Sequence, residues 1–134
     1  MHRAATVLLV EDDEQVRNAA RRVLQRCGYR LLQASGPGEA LLICEQQAGP
    51  IDLLLSDVVM PRMSGPELAE RVLAVRPEIR LLFMSGYTDA PSPRHPLGDY
   101  TVDVLEKPFT PQTLAESVRH ALNLESRNGT DHSD

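Results

Sequence analysis

Short apolar runs recur along the chain at 7–10, 53–55, 81–84 and 104–105, and each gives way to polar or charged residues. Between them the hydrophobic period changes. Val16, Ala19, Ala20, Val23, Leu24 and Cys27 follow the i, i+3, i+4, i+7 spacing of an amphipathic helix, with Asp13 as its N-cap and Gly28 as its stop. Residues 29–34 read as a second strand, after which Gly36-Pro37-Gly38 opens a helix carrying Ala40, Leu41, Ile43 and Cys44. Residues 52–56 centre on three consecutive leucines, as befits a central parallel strand covered on both faces. Ser64-Gly65-Pro66-Glu67 is a capping-box pattern with proline in the first turn, and Pro77 marks the end of the helix it opens. Residues 80–84 and 103–106 read as the fourth and fifth strands, and Thr110-Pro111 opens a last helix with Leu114, Val118, Ala121 and Leu122 inward.

Alternation of this kind predicts an α/β fold, a doubly wound five-stranded parallel sheet with helices on both faces. The expected domain covers 6–124, with flexible tails at 1–5 and 125–134. One segment breaks the rhythm. Where a fourth helix is due, the chain carries Pro91, Pro93 and Pro96 within 88–98, so that helix is expected to be short or irregular, more loop than helix.

Composition changes this picture little. The 134 residues suit one domain, and 42% hydrophobic with 25% charged residues is ordinary for a globular protein. A net charge of −5, with no basic stripe in view, speaks against direct nucleic-acid binding. Cys27 and Cys44 lack metal-ligand spacing and read as small buried thiols; the four histidines read as solvent-facing. Residues 1–6 read as too short and polar for a signal peptide, no apolar run approaches membrane-spanning length, and a cytoplasmic setting is expected.

The chemistry lies at the ends of the strands. Glu11 and Asp12 follow the first, Asp57 the third, Ser85 the fourth and Lys107 the fifth, so parallel strands would gather all five side chains at one sheet edge. Three carboxylates within about 5 Å repel by roughly 3 kcal/mol per pair at an effective dielectric near 20, which calls for a proton or a cation. Oxygen ligands alone favour Mg²⁺. With the cation bound, Asp57 is a nucleophile toward phosphorus, while Lys107 and Ser85 face the charge on the transferred group. Asp13 and Glu14 read as cap and first-turn residues instead of ligands.

These residues resemble the receiver domain of two-component response regulators, over about 6–124. The motifs are Val7-Leu8-Leu9-Val10-Glu11-Asp12-Asp13-Glu14, Ser56-Asp57 through Ser64-Gly65, Met84-Ser85-Gly86-Tyr87 and Lys107-Pro108-Phe109. The resemblance implies a flavodoxin-like receiver fold in which Asp57 takes a phosphoryl group from the phosphohistidine of a histidine kinase or histidine phosphotransfer protein. It implies Mg²⁺ held by Asp12 and Asp57, by Glu11 through water and by the Val59 carbonyl, with Lys107 and Ser85 on the phosphoryl oxygens. The chain would then be a signalling switch or phosphorelay intermediate and no enzyme beyond its own phosphorylation and dephosphorylation, with a downstream protein target that the sequence does not identify.

The chain departs from the family pattern in places. Val104 stands where the family often has a switching aromatic, and is too short and stiff for that part. Tyr87 and Val59 occupy positions that tune loss of the phosphoryl group, and their character implies slow self-dephosphorylation. The proline-rich stretch disfavours symmetric dimerisation through the face that, in the family, is made by the fourth helix, fifth strand and fifth helix. The runs around Ser85 and Lys107 are similar to receivers attached to hybrid sensor kinases. The rival readings are a receiver-fold interaction module that works unphosphorylated and an aspartate-nucleophile phosphatase, the latter opposed by Val59 where a second acid is needed. An electron carrier of the flavodoxin type is opposed by the acidic first loop, which would repel phosphate.

Overall fold

A computed structural model describes residues 3–86 and 94–131, with 124–131 described by backbone alone. Element order is β1 (Thr6–Val10), α1 (Glu14–Arg26), β2 (Arg30–Ala34), α2 (Pro37–Gln46), β3 (Leu53–Asp57), α3 (Gly65–Val75), β4 (Arg80–Gly86), β5 (Arg94–Leu97), β6 (Tyr100–Lys107) and α4 (Pro111–Asp131). The strands form one sheet in the order β2-β1-β3-β4-β6-β5. Every neighbouring pair is parallel except β5 with β6, which is antiparallel.

Local signals act where the sequence places them. Asp13 Oδ1 accepts from the Gln15 and Val16 amides at 2.9 and 3.2 Å, satisfying donors that the start of α1 leaves open. Gly28 takes a φ of 93°, which ends that helix at little steric cost. Ser64 and Glu67 close a reciprocal capping box at the start of α3. Two apolar layers sandwich the sheet. Leu8, Val10, Leu54 and Phe83 face α2 and α3, while Val7, Leu9, Leu53, Leu55, Leu82 and Met84 face α1 and α4. Burial on both faces is why the central strands read as unbroken hydrophobic runs.

The sheet has six strands and four helices stand among the described residues, where five strands and an irregular fourth helix were expected. Tyr87, Pro91 and Pro93 lie outside the described residues, but Arg94–Leu97 is a strand at the sheet edge. An edge tolerates Pro96 because one side of the strand has no ladder partner to lose. Gly98, with φ 59°, and Asp99 make a two-residue hairpin loop between the paired Leu97 and Tyr100. Leu97 is buried in the core, and the His95 ring meets Phe83 edge-on at 5.7 Å. That contact crosses over β6, where Val104 stands opposite Phe83 and is short enough to leave the space. His95 is therefore partly covered, not solvent-facing.

Two further expectations need correcting. Cys44 is buried, but Cys27 is exposed, because it sits at the C-cap where the chain is already turning out of the helical stripe. The last helix runs on to Asp131, past the boundary expected at Leu124; no proline interrupts 112–131 to stop it.

Candidate functional site

Chain order reverses between β1 and β3, its neighbour on the side away from β2, so the crevice beyond their carboxyl ends is where an open α/β sheet binds ligands. Glu11 and Asp12 leave β1 at that point and Asp57 is the last residue of β3. Lys107 is the last residue of β6, and Ser85 lies one residue before the end of β4. One carboxylate oxygen from each of Glu11, Asp12 and Asp57 lies within 4.8 Å of the others. The Lys107 ammonium bridges two of them, 2.8 Å from Glu11 Oε1 and 2.6 Å from Asp57 Oδ1.

Burial makes this cluster electrostatically costly. Glu11 is 1% exposed and Asp57 4%, while Asp12 is open to solvent. Desolvation, and then the neighbouring Glu11, push the Asp57 carboxyl up to about 8, against the pull of Lys107. Burial works against the Lys107 ammonium too, but pairing with Asp57 and Glu11 outweighs it and raises the lysine above its ordinary value. Asp57 Oδ1 is fully buried and accepts no hydrogen bond among the described residues. Lys107 at 2.6 Å therefore acts on it as a charge, not as a well-directed donor. Three converging carboxylates with a single ammonium between them form an all-oxygen, net-negative donor set that fits a hard divalent cation of the Mg²⁺ class.

The remaining expected residues fall at the same edge. Ser85 is buried, and its hydroxyl donates to the Gly86 carbonyl at 3.0 Å. Val59 lies two residues past β3, 60% exposed, in the loop between Asp57 and α3. Tyr87, expected from the resemblance to act with Val59 on phosphoryl loss, lies outside the described residues.

Several site residues escaped sequence reading. Arg17, one turn into α1, donates from Nη1 to the Glu11 carbonyl at 2.7 Å. The Asp13 amide donates to Glu11 Oε2 at 3.0 Å, so Asp13 orients the acid through its backbone as well as capping α1. The loop after Asp57 is pinned by Gly65, whose amide donates to the Val58 carbonyl at 2.7 Å. A side chain at Gly65 would run into the Asp57 carbonyl oxygen, so only glycine lets α3 start so close to Asp57. Arg62 holds a left-handed φ of 76° in the same loop, a conformation uncommon outside glycine. Asp13, Arg62 and Gly65 already belong to the motifs, whereas Arg17 lies outside them.

A family model described as the response regulator receiver domain matches residues 7–119. The chain is 41% identical over 119 residues to the sensor kinase CckA of Brucella abortus (strain 2308), an alignment covering 89% of this chain and 13% of that protein. It is 30% identical over 122 residues to the response regulator receiver protein CpdR of the same organism, covering 87% of this chain and 95% of that one. Among solved structures, the receiver domain of the hybrid histidine kinase CckA superposes with a TM-score of 0.73 at 36% identity, over 88% of this chain and 99% of that domain. A CheY-like receiver domain protein from Methanospirillum hungatei JF-1 gives a TM-score of 0.76 at 25% identity, over 94% and 99% of the two chains. The chain thus spans about the length of stand-alone receivers but only a small share of the sensor kinase.

Proposed function

Because the chain belongs to the response regulator receiver domain family, matched over residues 7–119, we propose that Asp57 is a phosphoacceptor serving a two-component signalling pathway. The phosphodonor is a phosphohistidine on a histidine kinase or a histidine phosphotransfer protein. An Asp57 carboxylate oxygen forms the new P–O bond as the P–N bond to the donor imidazole breaks. The product is an acyl phosphate on this chain and a free histidine on the donor. The downstream partner is a protein that distinguishes the two states.

The single observation that carries the reading is the buried Asp57 carboxylate, paired with Lys107 at 2.6 Å inside a three-carboxylate cluster. Asp12, Asp57, Glu11 through water and the Val59 carbonyl would hold Mg²⁺. When bound, the ion supplies the counter-charge that keeps Asp57 ionised and attracts phosphoryl oxygens. Lys107 is already placed beside Asp57 and pairs with the phosphoryl group once it arrives. Ser85 exchanges its Gly86 carbonyl for a phosphoryl oxygen, which gives the modification a mechanical consequence in β4.

Turnover is confined to this chain's own phosphorylation and hydrolysis. No described helix is long and apolar enough to cross a membrane. The reading places the domain in the cytoplasm, where its donor works. The test is to mix the chain with acetyl phosphate and Mg²⁺ and measure its intact mass. One phosphoryl group should appear on the wild type and none on Asp57→Asn. An unmodified wild type would support an interaction module that works unphosphorylated, and turnover of a general phosphomonoester would support the phosphatase reading. Phosphotransfer profiling against the organism's histidine kinases then identifies the donor.

A further inference from the structure

We propose that Arg17 is a positioning residue for the metal-binding acids, holding the Glu11–Asp12 peptide in the plane that presents Asp12 to the cluster. The inference rests on the phosphoacceptor reading of this site. The β1 ladder ends at Val10, which pairs with Ala34 on one side and Ser56 on the other. The Glu11 amide still reaches the Ala34 carbonyl at 3.1 Å, but the Glu11 carbonyl lies beyond the last paired residue and needs another donor. Arg17 supplies it at 2.7 Å from a partly buried position.

Glu11 is then engaged at every polar atom. Its amide meets Ala34, its carbonyl meets Arg17, and its two carboxylate oxygens meet Lys107 at 2.8 Å and the Asp13 amide at 3.0 Å. The peptide so clamped is the one that leads into Asp12, the solvent-exposed member of the three-acid group. Without Arg17 the clamp loses the contact on that peptide's own carbonyl, and Asp12 samples orientations that lead away from Glu11 and Asp57. Groups that orient metal ligands from outside the coordination sphere commonly contribute 10–100-fold in metal affinity.

Charge makes the opposite prediction, which sharpens the test. A guanidinium near a cation site repels the cation, so deleting its charge alone should tighten Mg²⁺ binding. Positioning predicts weaker binding. The experiment titrates the full chain with Mg²⁺ alone by calorimetry, in wild type, Arg17→Ala and Arg17→Lys, and measures urea unfolding of each in chelator. We expect Arg17→Ala to bind Mg²⁺ about tenfold more weakly. Arg17→Lys, which keeps a donor and the charge, should recover most of the loss. Acetyl phosphate labelling of Arg17→Ala should be slow at limiting Mg²⁺ and approach the wild-type rate at saturation.

Unchanged or tighter Mg²⁺ binding by Arg17→Ala overturns the proposal. So does a loss that lysine does not recover, or one matched by a general loss of stability in chelator. A wild type that binds Mg²⁺ but gains no phosphoryl group removes the phosphoacceptor reading, while the calorimetric comparison still decides the role of Arg17.

Discussion

Replacing Asp57 by asparagine should stabilise the metal-free protein at alkaline pH, although it destroys the proposed acceptor. Glu11, Asp57 and Lys107 together carry one excess negative charge when both acids are ionised, and Asp12 adds another within 4.8 Å. A carboxylate pair at that separation repels by about 3 kcal/mol at an effective dielectric near 20. The folded chain relieves this by keeping a proton on Asp57, whose pKa is pushed from 3.8 to about 8 by burial and by Glu11. Between those values the folded state holds a proton that the unfolded chain has released. The stability linked to Asp57 is therefore fully present below 3.8 and is lost as pH rises through about 8.

The slope is about 1.4 kcal/mol per pH unit at most, and the whole change is bounded at ~6 kcal/mol. Relaxation around the cluster and solvent at Asp12 soften it, so we expect Asp57→Asn to exceed the wild type by about 2–4 kcal/mol near pH 8 and to match it near pH 4. Urea unfolding followed by circular dichroism, in chelator across that pH range, measures the difference. Adding Mg²⁺ should then stabilise the wild type by mass action and leave the variant nearly unmoved. Parallel pH profiles for the two proteins in chelator would refute the idea that the cluster stores electrostatic stress at Asp57.

Other expectations follow from contacts away from the proposed acceptor oxygen. Arg76 donates to the carbonyls of Cys44, Gly49 and Gln47 at 3.0, 3.0 and 2.7 Å, closing the end of α2 and its loop, so Arg76→Ala should cost about 2–3 kcal/mol in urea unfolding with labelling of Asp57 preserved. Gly65→Ala forces a Cβ onto the Asp57 carbonyl and should both destabilise the chain by at least ~2 kcal/mol and slow labelling, read by unfolding and intact mass on one sample. Lys107→Ala should keep some phosphorylation at Asp57 but lose the spectral response of the Ser85 strand in amide NMR spectra. His95→Ala should remove an edge-on ring contact worth about 1 kcal/mol and leave Mg²⁺ binding unchanged.

The site was legible because its chemistry is tied to strand ends, and strand ends follow from hydrophobic runs and breakers that are local. Once parallel pairing is granted, Glu11, Asp57 and Lys107 must meet, and they do. Arg17 was not legible for the opposite reason. An arginine on the flank of an amphipathic helix is ordinary, and its use depends on a carbonyl six residues back that only the end of the β1 ladder leaves open.

The proline-rich stretch shows a different failure, in which the signal was present and was read for what it forbids. Prolines disfavour a regular helix, and the described part of the stretch, residues 94–98, carries none. Yet Leu97-Gly98-Asp99-Tyr100 is an apolar-glycine-polar-aromatic sequence suited to a two-residue hairpin, and β6 offers an open edge on which a proline-bearing strand can pair. The alternation of β5 fits as well, since His95 and Leu97 turn inward to Phe83 and the core while Arg94 and Pro96 are exposed. Val104 belongs to the same arrangement. An aromatic side chain there would contest the space over β6 through which His95 reaches Phe83, so the short residue and the added edge strand are parts of one packing solution.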